Sequence, residues 1–243
     1  GYRMQGHYLF DEEEYEKSIE FFQKAWELSK DDRMLVQKGV AIKKIGNKEK
    51  SNEKMKEALE IFDEVIKNDV KNAEAWFEKG NCNWNLKNYK ESEKCYLEAC
   101  KLDPEEARTW CDLGDLAIKR KSPDEALLFF EKALFYDKTE INAHIGKAKA
   151  YRHLKKYSES ITSINAALRI DESEDALDEK AICLGAAKDY EEALSLINLN
   201  SYGNGTAIFT RDGDAARDFV SRVEVGMVGV NVPIPVPVAY HSF

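Results

Sequence analysis

The side chains in this sequence with the right types for covalent, redox or metal chemistry are five cysteines and four histidines. They are Cys82, Cys95, Cys100, Cys111 and Cys183, with His7, His144, His153 and His241. A thiolate nucleophile needs a base or cationic neighbour, and a zinc site needs ligands at short, paired spacings. The cysteines are odd in number and contain no Cys-x-x-Cys pair, and the histidines are scattered. We therefore expect reduced thiols packed as small apolar groups, with no disulfide framework, no metal site and no cofactor. Gly203-Asn204-Gly205 stands before a strand-like run rather than between a strand and a helix, so it reads as a turn and not a phosphate cradle. The acidic runs Asp11 to Glu14 and Asp171 to Asp175 suit helix starts and solvated loops. No general acid/base pair is evident, and the chain is expected not to be an enzyme.

These residues sit on elements with a clear period. Trp76 and Gly80 return 34 residues later as Trp110 and Gly114, and Ser92, Tyr96 and Ala99 return as Ala126, Phe130 and Ala133. Each unit reads as two helices, the first carrying a small residue midway so that the second can approach closely. One such pair cannot cover its own apolar face, so neighbouring pairs must stack.

The period and residue types resemble the tetratricopeptide repeat (TPR) family, whose pattern is a bulky residue, Leu-Gly, an aromatic, a small residue, an aromatic, Ala and Pro. Trp76, Gly80, Tyr96, Ala99 and Pro104 take these positions in one copy. Trp110, Leu113, Gly114, Ala126, Phe130 and Ala133 take them in the next. The resemblance implies an all-α superhelical solenoid of antiparallel helix pairs. Extending the frame places repeats at about 1–31, 32–72, 73–106, 107–140, 141–173 and 174–200. Gly6 takes the small position of a first helix that looks truncated. In the second repeat the markers Ala58, Phe62 and Val65 arrive seven residues late, which implies longer helices around Gly46-Asn47. In the fifth, His144 stands where Trp stood and Ala148 takes the Gly position.

From Ser201 the composition changes: no Lys, five Gly, three of the five Pro, and many Val. Proline cannot continue a helical repeat. Thr206 to Thr210 and Met227 to Val232 read as strands around a short helix from Ala215 to Arg222. A strand-helix-strand tail implies a parallel crossover. Two strands are too few for an independent domain. A second resemblance lies here. Glu191-Glu-Ala-Leu-Ser-Leu-Ile-Asn, Tyr202-Gly-Asn-Gly-Thr-Ala-Ile-Phe-Thr and Val228-Gly-Val-Asn-Val-Pro-Ile-Pro-Val-Pro are similar to a late segment of CoA-acylating methylmalonate-semialdehyde dehydrogenase. Residues 201–243 are thus expected to be a fragment of an NAD- and CoA-dependent enzyme, inactive without the family's catalytic Cys motif, general-base Glu and nucleotide-binding domain. The chain reads as a chimera. It opens on Gly rather than Met, so a missing start or a tag remnant is expected.

A formal charge of -9 argues against an electrostatic grip on nucleic acid. No apolar run approaches the roughly 20 residues of a membrane span, and a cytoplasmic location is expected. The TPR resemblance leaves the concave groove as the functional surface. It puts exposed first-helix positions at Phe77, Asn81, Trp84, Arg108, Cys111, Asp115, Ile145, Lys149 and Arg152. All but Cys111 are taken as candidate partner-binding residues for an extended peptide or partner helix, including one with an acidic end. The family's carboxylate clamp is not matched: Asn81 fits one Asn position, but Phe77 stands where the clamp has Lys and Asp112 where it has Asn. A further expectation is self-association through the unpaired strand edges of Thr206 to Val232.

Overall fold

A computed structural model of the protein describes residues 1–187, 206–208, 221–222 and 228–230. The chain divides into two compact units, residues 1–120 with 135–137, and residues 121–134 with 138–243.

The first unit holds α1 (Tyr2–Asp11), α2 (Tyr15–Ser29), α3 (Asp32–Glu49), α4 (Asn52–Asn68), α5 (Ala73–Asn85), α6 (Tyr89–Leu102) and α7 (Ala107–Lys119). Each packs on the next, and the first helices α3 and α5 also touch. The long second repeat is accounted for by α3 and α4, with 18 and 17 residues against 13 and 14 in α5 and α6. The second unit contains α8 (Pro123–Tyr136), whose last two residues fall in the first unit, then α9 (Ile141–His153), α10 (Tyr157–Ile170) and α11 (Glu174–Ala187). Here α9, α10 and α11 pack mutually.

The 34-residue period is physical as well as textual. Asn72, Glu106 and Glu140 each cap a first helix by accepting a backbone N–H with the side chain. The indole Nε1 of Trp76 donates to the Val70 carbonyl at 2.9 Å, and that of Trp110 to the Pro104 carbonyl at 2.8 Å. His144 takes over this role, its Nε2 lying 3.1 Å from the Lys138 carbonyl. Lys87, Lys121 and Lys155, again 34 apart, adopt left-handed φ of 62°, 61° and 59° to turn the chain between the helices of a pair.

The core follows one position of the second helices. Phe22, Phe62, Tyr96, Phe130 and Ile164 are all at most 1% exposed. The rings of Phe22, Phe62 and Tyr96 lie against Gly6, Gly39 and Gly80, where a Cβ would intrude. Close approach also satisfies polar atoms: Ser92 Oγ donates to the Gly80 carbonyl at 3.0 Å, and Ser160 Oγ to the Ala148 carbonyl at 2.9 Å.

Of the expected tail, Thr206–Ile208 (β1) and Val228–Val230 (β2) pair in parallel, Thr206 opposite Val228 and Ile208 opposite Val230. The rest of residues 201–243, apart from 221–222, which are helical, lies outside the described residues. So do most of the sixth repeat's second-helix markers, Tyr190, Ala193 and Ile197.

Candidate partner-binding faces

The thiols need no further role. All five are buried. Burial pushes Cys82 up to about 12 and Cys95 up to about 11, which leaves both protonated at neutral pH. Cys183 packs with Ala148 and Ile164 in the second unit's core, its Sγ 3.7 Å from the Tyr157 carbonyl. Among the described residues, no helix is long and apolar enough to cross a membrane.

In the first unit, the first helices are joined by polar contacts along their length. Gln37 on α3 donates to Glu74 on α5 at 3.1 Å, and Asn85 donates to Asn47 at 3.0 Å. Between these pairs Lys43, only 8% exposed, is ion-paired with Glu78. A buried ammonium loses its hydration and needs such a partner, so the pair ties α3 to α5. Asn81 follows one turn on, its Nδ2 donating to Glu78 at 3.2 Å and its Oδ1 accepting from the Tyr96 hydroxyl at 2.7 Å. The core tyrosine thus reaches through to the face and sets the orientation of the amide.

Phe77 is half-buried, its ring tilted on Tyr96 with centroids 5.9 Å apart. The Arg108 guanidinium from α7 lies over it at 5.2 Å, an arrangement that holds an exposed arginine in one place. Trp84 is half-buried, edge-on to Tyr89 at 5.7 Å. Asp112, on α7, sits half-buried with Asp115 and Glu78 near by. Burial first and the Asp115 charge second push its carboxyl up to about 7, against the opposing pull of Arg108 and Lys43. Between α5, α6 and α7 these residues leave a pocket of about 270 Å³, lined by Glu74, Phe77, Glu78, Asp103, Glu106 and Arg108 among others.

In the second unit two of the candidates are placed differently from the sequence expectation. Ile145 is 4% exposed and packs with Ala167 and Ala176, so it is core and not an exposed anchor. It is the 34-residue equivalent of Phe77 and of Cys111, which is also buried, at 4%. An apolar side chain at that position turns into the contact with neighbouring helices, because stacking hides whatever part of the first helix the next repeat can reach. Arg152 is only partly exposed: its Nε donates to Glu179 on α11 at 2.6 Å, and Glu179 is 3% exposed. Arg152 therefore clamps α9 to α11. Lys149, half-buried, remains on α9.

Of the residues named from sequence, Phe77 and Arg108 line this pocket and Asn81 donates to Glu78, which also lines it, whereas Trp84 on α5 and Asp115 on α7 are not among its lining residues. Lys43 and Glu78 are not among the residues named from sequence. Lys43 stands beside Lys44 and just before Lys48, Glu49 and Lys50, which reads as solvent-exposed sequence, and only its spacing of four from Gly39 within α3 hinted at burial.

The tetratricopeptide repeat family matches residues 2–32, 73–106, 107–139 and 141–174. The aldehyde dehydrogenase family matches residues 182–243. The malonate-semialdehyde dehydrogenase of Pseudomonas aeruginosa is 66% identical over 62 residues, which is 26% of this chain and 12% of that enzyme. The chain spans only about a tenth of the length of the curated semialdehyde dehydrogenases it matches. Among solved structures, Pseudomonas aeruginosa PilF superposes with a TM-score of 0.67 at 20% identity, over 81% of this chain and 87% of that one. YrrB, described as a TPR protein with an unusual peptide-binding site, superposes with a TM-score of 0.56 at 19% identity, over 82% of this chain and 91% of that one. The repeated caps, indole hydrogen bonds and ring-on-glycine contacts agree with these matches: the chain belongs to the tetratricopeptide repeat proteins and carries at its C-terminal end a segment of aldehyde dehydrogenase type.

Proposed function

We propose that the chain is a non-enzymatic, cytoplasmic scaffold that holds a protein segment on the inner faces of its first helices. The observation that carries this reading is the pocket between α5, α6 and α7, where Phe77 and Arg108 in the lining, and Asn81 bonded to the lining residue Glu78, are each fixed by a neighbour before any partner arrives. Preorganised side chains bind with less loss of rotamer freedom. In this reading Trp84 and Asp115 extend the surface within the first unit; in the second unit, taken by itself, Lys149 is the candidate on α9, Arg152 acts through Glu179, and Ile145 is core beneath them. The peptide-binding site of YrrB is a parallel of the same kind. The repeat array runs to about residue 200, and residues 201–243 are a fragment that is not an independent domain. The test uses peptides selected on the intact chain from a randomised displayed library. Trp84→Ala and Lys149→Glu should each weaken their binding, the tryptophan by about 30-fold if it is an anchor of the usual worth. Helical circular dichroism should not change. Undiminished binding by both variants rejects the assignment.

The aldehyde dehydrogenase segment is inactive in this reading. Its one cysteine, Cys183, is buried against Ala148 and Ile164, where a carbonyl substrate has no access. Incubation with malonate semialdehyde, NAD and CoA should produce no reduced nucleotide. A second reading rests on β1 and β2, a pair whose outer edges are unmatched among the described residues. Such edges recruit strands from other chains, so self-association through Thr206 to Val232 is expected, and truncation after Asn200 should abolish it in light scattering. A monomer in both forms overturns it.

A further inference from the structure

The charges that line the pocket of the first unit are mostly negative, opposite to what an acidic ligand end, suggested by the amide and basic residues in sequence, would need. The pocket between α5, α6 and α7 is lined by four carboxylates, Glu74, Glu78, Asp103 and Glu106, and by one guanidinium, that of Arg108. The other nearby cation, Lys43, is consumed by Glu78 in a buried pair. Arg108 is itself engaged by the face of Phe77, with its Nε 3.9 Å from Glu106. Glu74 accepts a hydrogen bond from a neutral amide, that of Gln37, and faces Glu78 on its own helix, with Arg108 the one cation of the lining that pulls on it. An anion entering here meets uncompensated negative charge, while a cation meets carboxylates and, beneath them, an aromatic ring against which a hydrocarbon stem can lie. The pocket volume, about 270 Å³, is at the small end of ligand sites, sized for one long side chain rather than a helix. We propose that this pocket receives the side chain of a lysine or arginine carried by an extended partner segment. The inference rests on the groove reading and adds the chemistry of the residue that the groove selects. Burial first and the charge of Glu78 second raise the pKa of Glu74, against the opposing pull of Arg108 and the Gln37 hydrogen bond.

The experiment is a selection of a randomised displayed peptide library on the intact chain, read by sequencing. Lysine and arginine should be enriched at one position of the recovered peptides. In Glu74→Gln/Glu106→Gln that enrichment should fall about tenfold, the effect of losing charge-assisted contacts to one cation, while peptides are still recovered. Glu60→Gln/Glu64→Gln, which removes two exposed carboxylates from α4, changes the net charge equally and should leave the enrichment in place. Recovery of peptides without lysine or arginine enrichment overturns the cation pocket and leaves the groove reading standing. An equal loss in both double variants traces the preference to net charge and also overturns it. Failure to recover any peptide overturns the groove reading and this inference with it.

Discussion

Gly80→Ala is the sharpest test of how the repeats are held together. An added Cβ would lie 2.5 Å from Tyr96 Cε1 and 2.6 Å from Cδ1. To reach ordinary contact at 3.4 Å the ring would have to retreat by about 0.9 Å. It has nowhere to go: Tyr96 is 1% exposed, its hydroxyl donates to Asn81 at 2.7 Å, and its ring meets Phe77. Overpacking of this kind costs about 1–3 kcal/mol, and displacing the hydroxyl costs about 1 more. Alanine returns about 1 kcal/mol through helix propensity. The net expectation is a loss of about 2 kcal/mol, which for a chain of this length lowers Tm by about 4–8 °C. Gly185→Ala is the control. It has the same propensity gain with nothing among the described residues within 4 Å of the new Cβ, so it should stabilise by up to about 1 kcal/mol. Both are measured by urea titration followed by circular dichroism. Repeating Gly80→Ala in a Tyr96→Leu background, where the ring is gone, should recover at least about 1 kcal/mol as coupling. If Gly80→Ala is as stable as the parent, or equally damaging with and without the ring, the close-approach argument is wrong.

Two further outcomes follow from buried charge. Asp112, held up to about 7 by burial and by Asp115, takes up its proton more readily folded than unfolded, where its value is about 3.9. Its contribution is therefore fully present below about pH 4 and is lost as pH rises through about 7, so Asp112→Asn should flatten that fall and gain about 1–2 kcal/mol at pH 8, read from denaturation midpoints at pH 5 and 8. Arg152→Met strands Glu179, 3% exposed, and should cost about 2–4 kcal/mol. Faster hydrogen exchange confined to α11 would report it, and adding Glu179→Met should reverse most of the loss, since an apolar pair leaves no buried charge.

The architecture was legible because it is periodic. Trp76 and Trp110, Tyr96 and Phe130 mark the same contacts in successive copies, and local rules for caps, small residues and buried rings suffice to place eleven helices among the described residues. Even the seven-residue excess around Gly46-Asn47 could be assigned to longer helices, because two turns preserve the buried face. The family resemblance of the tail was also legible, since it is carried by the residues themselves.

What no period could convey is which first-helix side chains remain available to a partner. Phe77, Cys111 and Ile145 occupy one repeat position, yet Phe77 is half-exposed and the other two are buried, since exposure depends on what the adjoining helices bring up to each. Likewise Lys43 with Glu78, and Arg152 with Glu179, are separated by 35 and 27 residues. Charge in a sequence is a sum over residues, whereas the field in a pocket depends on which of those charges have already found each other. Only tertiary packing, by pairing the cations and leaving carboxylates around Phe77, decided the sign of that field.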